Sequence, residues 1–510
     1  MGEASSTDSD SQQAVPPREQ NGAAQQATSL EHPEPREQNG AAQQATNLER
    51  PEPAAASQPN PAAKALAAGP SRRTLLRPGK RRRTEDGEGP SAAASCPPHP
   101  GFMHGICIRC GALSTEADDT AVAFKYIHEG LQLSGQEADR IRSQHLMRVL
   151  NSRKLLLVLD LDHTLLASTR LTDVDPDCQR KLHGLLELEA QGPESARRLH
   201  HLPHMNMWTC LRPFVREFLE AAHERFELQI YTHGDQDYAR EMARILDPTR
   251  KYFAERIISA GDSTRKHVKN LDVVLGAEAA ALILDDTEGV WPEHRHNLIL
   301  MHRYIYFPAC ANRFGIQQPS LLQRDTDEDP TVGPLATVLG VMQRTHERFF
   351  AATDPASQDV RSHLGDVRRE VLAGVELVFS RVIPLAEFQP ERNPLWQLAV
   401  ELGAACAEAV SERTTHVVAA ADHTSKVRWA HKHGKPVVSP DWLYAASFMW
   451  RKPDEADYGV AAYAQAPAPL SREEDMAAAA AGAGGGQGDY PQQPVSCEAD
   501  KAAAAAVPGW

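Results

Sequence analysis

Residues 154–166 read Lys-Leu-Leu-Leu-Val-Leu-Asp-Leu-Asp-His-Thr-Leu-Leu, and they constrain this chain more than any other stretch. An unbroken apolar run bounded by polar residues predicts a strand buried on both faces of a parallel sheet. Open sheets of that kind bind and react at the carboxyl ends of their strands. Here the strand empties into Asp160, Asp162 and Thr164. Backbone alternation points the two acids the same way. Two carboxylates so close do not both ionise comfortably without a cation, so the pair calls for a metal, a shared proton, or both. The plain alternative is an acidic strand end that caps the following helix.

Three later segments complete a constellation. Residues 281–286 (Ala-Leu-Ile-Leu-Asp-Asp) repeat the design, an apolar strand ending in Asp285 and Asp286. With Asp160 and the Asp162 carbonyl, an acid here builds an oxygen-only site suited to Mg²⁺. Residues 227–232 form a short apolar strand ending in Thr232, whose hydroxyl beside a helix N-terminus can donate to a phosphate oxygen. Between them lie Lys266 and Lys269, either of which could hold phosphate by charge.

The pattern Asp160-x-Asp162-x-Thr164 after a hydrophobic strand resembles the first motif of the haloacid-dehalogenase-type aspartyl phosphatases. That resemblance implies that Asp160 is the nucleophile, Asp162 the acid and then base, Thr232 the second motif and Lys269 the third, with Lys266 as alternative. It also implies that Asp286 ligates Mg²⁺ directly, with Asp285 in close support. Trp208-Thr209-Cys210-Leu211-Arg212-Pro213, Tyr231-Thr232-His233-Gly234-Asp235 and Asp285-Asp286-Thr287 with Trp291-Pro292 narrow the likeness. Over residues 96–455 the chain resembles the TFIIF-associated phosphatases of the RNA polymerase II C-terminal domain, especially the plant-type branch. Cys210 stands where that family carries a lysine. Arg212 is a candidate for either substrate phosphate or structural pairing. Pro213 suits a first helical position, and Phe214, Val215, Phe218, Leu219 and Ala222 make one apolar stripe of core. Residues 233–268 leave no room for a large cap domain. Residues 165–205, mostly polar and charged, are expected as an insertion flanking the cleft.

Composition divides the remainder. Residues 1–95 are rich in Gln, Ala, Pro, Glu and Ser and cannot bury enough apolar surface to offset the entropy of ordering. Within them Pro17–Glu34 recurs as Pro35–Glu52, with only Ser29/Asn47 and His32/Arg50 differing, which indicates duplication within a tail. Residues 461–510 are Ala/Gly-rich and are likewise expected to be disordered. Residues 71–83 hold Arg72, Arg73, Arg77, Lys80, Arg81, Arg82 and Arg83 in a chain of net charge −14, which fits a nuclear-import signal. That overall acidity argues against a general nucleic-acid binder. No apolar run reaches the roughly 18 residues of a membrane span, and no secretory leader is evident. The 8 cysteines do not form a secreted disulfide framework. Cys96-x2-His99 and Cys107-x2-Cys110 within residues 96–111 instead have the paired spacing of a tetrahedral Zn²⁺ site, with His104 to spare. A reduced, irregular loop is the alternative.

Residues 120–324 are thus expected as the catalytic domain, and residues 325–369 as an acidic linker (Asp325 to Asp329) followed by a helix. Residues 370–453 read as a small α/β module. Strands at Glu376–Ser380 and His416–Ala419, helices at Leu395–Leu402 and Lys426–His433, and a core aromatic at Trp442 resemble a BRCT domain in their order. The resemblance places Ser380 and Lys426 where some BRCT domains hold a phosphopeptide. Charge-assisted bonds to a dianion supply the rationale, but Arg381 replaces the glycine that phosphate-binding members favour.

The fold class expected is therefore α/β: a haloacid-dehalogenase-like parallel-sheet domain without a large cap, a small BRCT domain, and disordered tails. The function implied is a nuclear, Mg²⁺-dependent serine/threonine phosphatase of the polymerase repeat domain, docked through its BRCT module to the polymerase or to general transcription factors. Neither membrane nor direct nucleic-acid partners are expected. Two rivals are a non-catalytic nuclear scaffold for phosphoproteins and a phosphatase of nucleic-acid 3′-phosphates. A scaffold has no need of Asp160, Asp162 and Asp286 together.

Overall fold

Five parallel strands carry the acids. The computed structural model describes residue 96 and residues 98–460, apart from 116–120, 264, 266, 275, 385 and 386. The tails, the duplicated unit, the basic cluster 71–83 and Lys266 lie outside the described residues. The sheet order is Ile257–Ile258, Phe226–Tyr231, Leu155–Leu159, Ala281–Asp285 and Leu298–Leu300, every pair parallel. Leu155–Leu159 lies in the middle with all its residues buried, as a run of Leu and Val covered on both faces requires. From this strand the chain proceeds to one edge, then returns to the other side. The carboxyl ends part there and open a crevice. Leu159 pairs with both Ile230 and Leu284, which sets Asp160, Thr232, Asp285 and Asp286 at one rim.

Between Thr232 and Lys269 the described residues supply the helix Gln236–Leu246, the strand Ile257–Ile258 and short turns, and no separate cap domain. Asp235 caps that helix by accepting from the Tyr238 amide at 2.8 Å. The helix Val215–Arg225 buries Val215, Phe218, Leu219 and Ala222. Pro213, expected at its first position, instead precedes it. Phe214 is the N-cap, in the left-handed region at φ 68°, so the chain turns once more before the helix begins.

Residues 165–205, expected as an insertion, carry regular structure. Leu166–Arg170, Met207–Leu211 and Leu199–Leu202 form an antiparallel sheet in that order, with the helix Pro176–Ala190 beside it. Its Ser168 is satisfied internally, with Oγ 2.9 Å from Thr209 Oγ1 and 2.9 Å from Tyr238 Oη. At the N-terminal side, four short strands (Gly101–Met103, Ile106–Cys107, Val122–Ala123, Leu131–Leu133) form a second antiparallel sheet. The helix Gly135–Asn151 then leads into the central strand.

The C-terminal module has a parallel sheet ordered Ala405–Ala407, Glu376–Ser380, His416–Ala419, Val437–Val438. It is flanked by Pro394–Glu401, Ser425–Lys432 and Asp441–Met449, and Trp442 is fully buried. Between this module and the catalytic sheet stand two helices, Pro334–Ala351 and Val360–Arg369. They are not a free connector. Leu335, Val338, Met342, Leu364 and Val367 belong to one apolar core that takes in Phe218 and Leu284 on one side and Leu377, Val418 and Trp442 on the other. The acidic stretch expected as a linker is also seated: Glu328 is buried against Arg212, and Asp327 pairs with Arg198 at 2.5 Å.

Candidate active site and a second donor cluster

Asp160, Asp162, Thr232, Lys269, Asp285 and Asp286 line one cleft, together with His163, His233 and Thr287. Its void of about 20 Å³ matches roughly one water-sized species. Lys269 Nζ donates to Asp160 Oδ1 at 2.6 Å and to Asp285 Oδ2 at 2.7 Å. Burial works against the lysine's charge, but the two carboxylates outweigh it and hold Lys269 protonated above its ordinary range. Asp285 is further fixed by Trp291 Nε1 at 2.9 Å and by the Thr287 amide at 2.9 Å. Asp286 accepts from Arg303 Nε at 2.7 Å. Facing oxygens of Asp160, Asp285 and Asp286 lie within 4.8 Å of one another. Burial raises the proton affinity of Asp160, and the nearby acids add to it against the pull of Lys269. Lys269 and Arg303 leave an excess of carboxylate that a divalent cation would offset, and oxygen-only donors are the set that Mg²⁺ prefers. The residues fit such an ion.

Asp162 sits differently. Its Oδ1 accepts from the buried Tyr238 hydroxyl at 2.6 Å, while its buried Oδ2 has no hydrogen-bond partner among the described residues. Burial lifts its pKa to about 6, although the Tyr238 bond opposes the shift. Thr232 Oγ1 accepts from the Gly234 amide at 3.0 Å, which orients the hydroxyl at the mouth of the following helix. His163 and His233 are both driven down to about 3 by burial and are therefore neutral. Arg212 does not reach into the cleft. It makes two 2.7 Å bonds to Glu328 and donates to the carbonyls of Thr164 at 3.0 Å and His302 at 2.7 Å. It is a positioning residue behind the Asp162 loop. Cys210 is a buried thiol 3.6 Å from the Tyr304 hydroxyl, raised to about 12 by burial, and plays no part in the cleft.

Tyr238 and Arg303 escaped the sequence reading. A tyrosine on an amphipathic helix looks like core, and an arginine after the strand Leu298–Leu300 looks like surface. For Tyr238, the Asp235 cap was the one available signal, since it fixes which face of Gln236–Leu246 turns toward Asp162.

Elsewhere, Cys96, His99, Cys107 and Cys110 converge, with ligand atoms all within 4.8 Å of one another. His104 stands apart, edge-on to His128. Burial would raise the Cys107 thiol, but amide hydrogen bonds from Cys110 and Arg109 outweigh it and bring its pKa to about 6. In the C-terminal module Ser380 Oγ lies 2.7 Å from Thr424 Oγ1, and Lys426 Nζ donates to the Phe379 carbonyl at 2.8 Å. The two expected residues are thus neighbours, and Lys426 spends one of its three donors on that carbonyl. Arg381 holds φ 58°, a left-handed conformation that accounts for a preference for glycine there.

A parallel sheet whose strand ends bring acids, a threonine and a lysine to one rim defines a phosphatase of the haloacid-dehalogenase-like class. Residues 155–313 match the NLI interacting factor-like phosphatase family, and residues 368–446 match the BRCA1 C Terminus (BRCT) domain. The RNA polymerase II C-terminal domain phosphatase-like 4 of Arabidopsis thaliana is 43% identical over 383 residues, covering 75% of this chain and 86% of that protein. Its phosphatase-like 3 is 40% identical over 342 residues, covering 65% of this chain and 27% of that longer protein. A solved structure of fission yeast RNA polymerase II CTD phosphatase Fcp1 bound to beryllium fluoride superposes with a TM-score of 0.50 at 25% identity, covering 62% of this chain and 99% of that one. The chain belongs to the RNA polymerase II C-terminal domain phosphatase-like family, with an associated BRCT domain, and is an enzyme of the hydrolase class. Among the described residues no helix is long and apolar enough to cross a membrane.

Proposed function

We propose that this enzyme is a Mg²⁺-dependent protein serine/threonine phosphatase acting on the phosphorylated C-terminal repeats of RNA polymerase II through an aspartyl-phosphate intermediate. The observation that carries the reading is the division of labour between two neighbouring acids. Asp160 is held by Lys269 at 2.6 Å, and Asp162, which lines the same cleft, keeps one buried oxygen uncommitted.

In this reading Asp160 attacks phosphorus in line and the bond from phosphorus to the serine oxygen breaks. Asp162 passes its proton to the departing oxygen. It then takes a proton from the water that hydrolyses the aspartyl phosphate, which restores both carboxyls. Lys269 and Thr232 hold the phosphoryl oxygens. Asp160, the Asp162 carbonyl and Asp286 would hold Mg²⁺, with Asp285 in support, and that ion supplies positive charge to the transferring phosphoryl group. The open cleft, without a separate cap among the described residues, suits a polymer tail better than a small metabolite. The names of the relatives supply the identity of that tail. The BRCT module is read as a protein-docking surface for the polymerase or an associated transcription factor. Phosphopeptide capture by Ser380 and Lys426 is the lesser reading, because Arg381 stands where phosphate-binding members favour glycine. A nuclear setting follows from the substrate.

The test compares wild type with Asp160→Asn on phosphorylated repeat peptides and on a 3′-phosphorylated oligonucleotide, with Mg²⁺ and with chelator. Wild type turning over the peptide only with Mg²⁺, and Asp160→Asn failing to do so, is the expected result. Equal turnover by both proteins would remove the nucleophile, and preference for the oligonucleotide would move the substrate to nucleic acid.

A further inference from the structure

The four-stranded N-terminal sheet has too little apolar interior to account for its own order. Its strands are two or three residues long. Its buried apolar side chains are few: Phe102, Cys107, Phe124 and Leu133, with Ala138 from the next helix. Ile106, Ile108 and Leu113 are turned outward instead, at 48%, 51% and 73% exposure. Strands this short are marginal without a further constraint, and small modules commonly find it in a metal or a disulfide.

The constraint is at hand. Cys96 and His99 lie on the segment entering the strand Gly101–Met103, and Cys107 and Cys110 lie on the turn that leaves its hairpin partner Ile106–Cys107. The turn is built as a knuckle. The Gly111 amide donates to the Cys107 carbonyl at 3.0 Å, the Arg109 amide points at Cys107 Sγ at 3.4 Å, and Gly111 takes φ 75°. Across it, Cys110 Sγ and His99 Nδ1 stand 3.5 Å apart. Three sulfurs and one imidazole nitrogen lie within 4.8 Å of one another, and the 3.5 Å separation of Cys110 Sγ and His99 Nδ1 is that of a tetrahedral edge with bonds of about 2.0–2.3 Å to its centre. Soft thiolate donors select zinc over the hard cation that suits the aspartate cluster.

We propose that Cys96, His99, Cys107 and Cys110 bind one structural Zn²⁺, and that this ion fixes the N-terminal sheet as a buttress for the segment carrying Lys269. Binding takes three thiolates and a neutral imidazole, so the protons still on the thiols pass to solvent and the centre carries one net negative charge. The buttress is visible in the packing. The strand Val122–Ala123 lies against the turn Leu271–Val273, just beyond Lys269. Arg142 donates to the Asp272 carbonyl, and Lys125 Nζ donates to the Gly261 carbonyl at 3.4 Å. Tyr126 packs on the cluster containing Tyr231 and Trp291, the latter being the residue whose indole fixes Asp285. The assignment is independent of the phosphatase mechanism and concerns a different donor set.

The test uses the full chain, purified under reducing conditions without chelator and analysed for metal. About one zinc per chain is expected, falling to roughly a tenth or less in Cys107→Ser/Cys110→Ser and unchanged in Asp286→Asn. Reconstitution of wild type with Co²⁺ covers the case in which the double variant fails to fold. A sulfur-to-cobalt charge-transfer band with a tetrahedral ligand-field spectrum is expected, and neither arises from a carboxylate site. Stripping zinc with a thiol-directed reagent should speed amide hydrogen exchange roughly tenfold or more across residues 98–133 and 271–273. Wild type lacking both zinc and the charge-transfer band, a disulfide among Cys96, Cys107 and Cys110, or zinc lost from Asp286→Asn but kept by the double cysteine variant would overturn the site. Unchanged exchange at 271–273 would overturn the buttress.

Discussion

At the scale of single residues, the two oxygens of Asp162 are held differently, which bears on the proposed acid and base role. Tyr238 anchors one oxygen, and the other, also buried, has no hydrogen-bond partner among the described residues. If Asp162 gives a proton to the leaving oxygen, its removal should matter least when the leaving group needs none. Asp162→Asn is therefore expected to lose about 10²–10⁴-fold in kcat/KM on a phosphoserine peptide and much less on an aryl phosphate. On the aryl phosphate, rapid quench should also show a burst of phenol followed by slow turnover, because the second step still lacks its base. Equal losses on both substrates would contradict the acid role. Asp160, Asp162, Asp285 and Asp286 were legible because apolar strands that end in acids leave little else for the acids to do. Tyr238 was not, since its role depends on a side-chain bond across helix and loop that local pattern does not encode.

At the scale of elements, the three inner strands of the central sheet were read with boundaries close to those observed, because burial on both faces leaves an uninterrupted apolar signature, while the two edge strands are too short to leave one. The seating of the acidic stretch was not legible, because its charged residues are satisfied by distant partners. Ser168 likewise bonds across strands to Thr209. Glu328, in the presumed linker, meets Arg212 across the fold. That pair permits a prediction with a definite sign. Burial raises the proton affinity of Glu328, and Arg212 counteracts it. In Arg212→Met the largest influence opposing burial is gone, so the folded state holds the Glu328 proton more tightly than the unfolded chain does. The variant keeps most stability below the ordinary glutamate pKa of about 4.3 and loses it as pH rises through the folded value. Denaturant unfolding should show a deficit of about 3–5 kcal/mol near neutrality that shrinks toward pH 4. Adding Glu328→Gln should flatten that dependence. A deficit independent of pH in the single variant would mean that the lost carbonyl bonds, and not the stranded acid, dominate.

At the scale of the molecule, catalytic and BRCT domains share an interior through Pro334–Ala351 and Val360–Arg369. His302, whose carbonyl accepts from Arg212, stacks edge-on with Phe448 of the BRCT helix at 5.7 Å, and Arg368 donates to the Leu298 carbonyl at 2.9 Å. A joint of this kind predicts one cooperative transition. Leu364→Ala, which removes a fully buried side chain from the shared helix, should cost about 2–5 kcal/mol. It should lower the melting of both domains together, as read by calorimetry and by BRCT-specific and catalytic-domain probes. Two separated transitions would show that the common core is thermodynamically divided. Scission of the backbone within the shared helices would likewise uncover greasy faces on both fragments at once. The severed halves should then cling to each other or precipitate, and not drift apart as independent proteins.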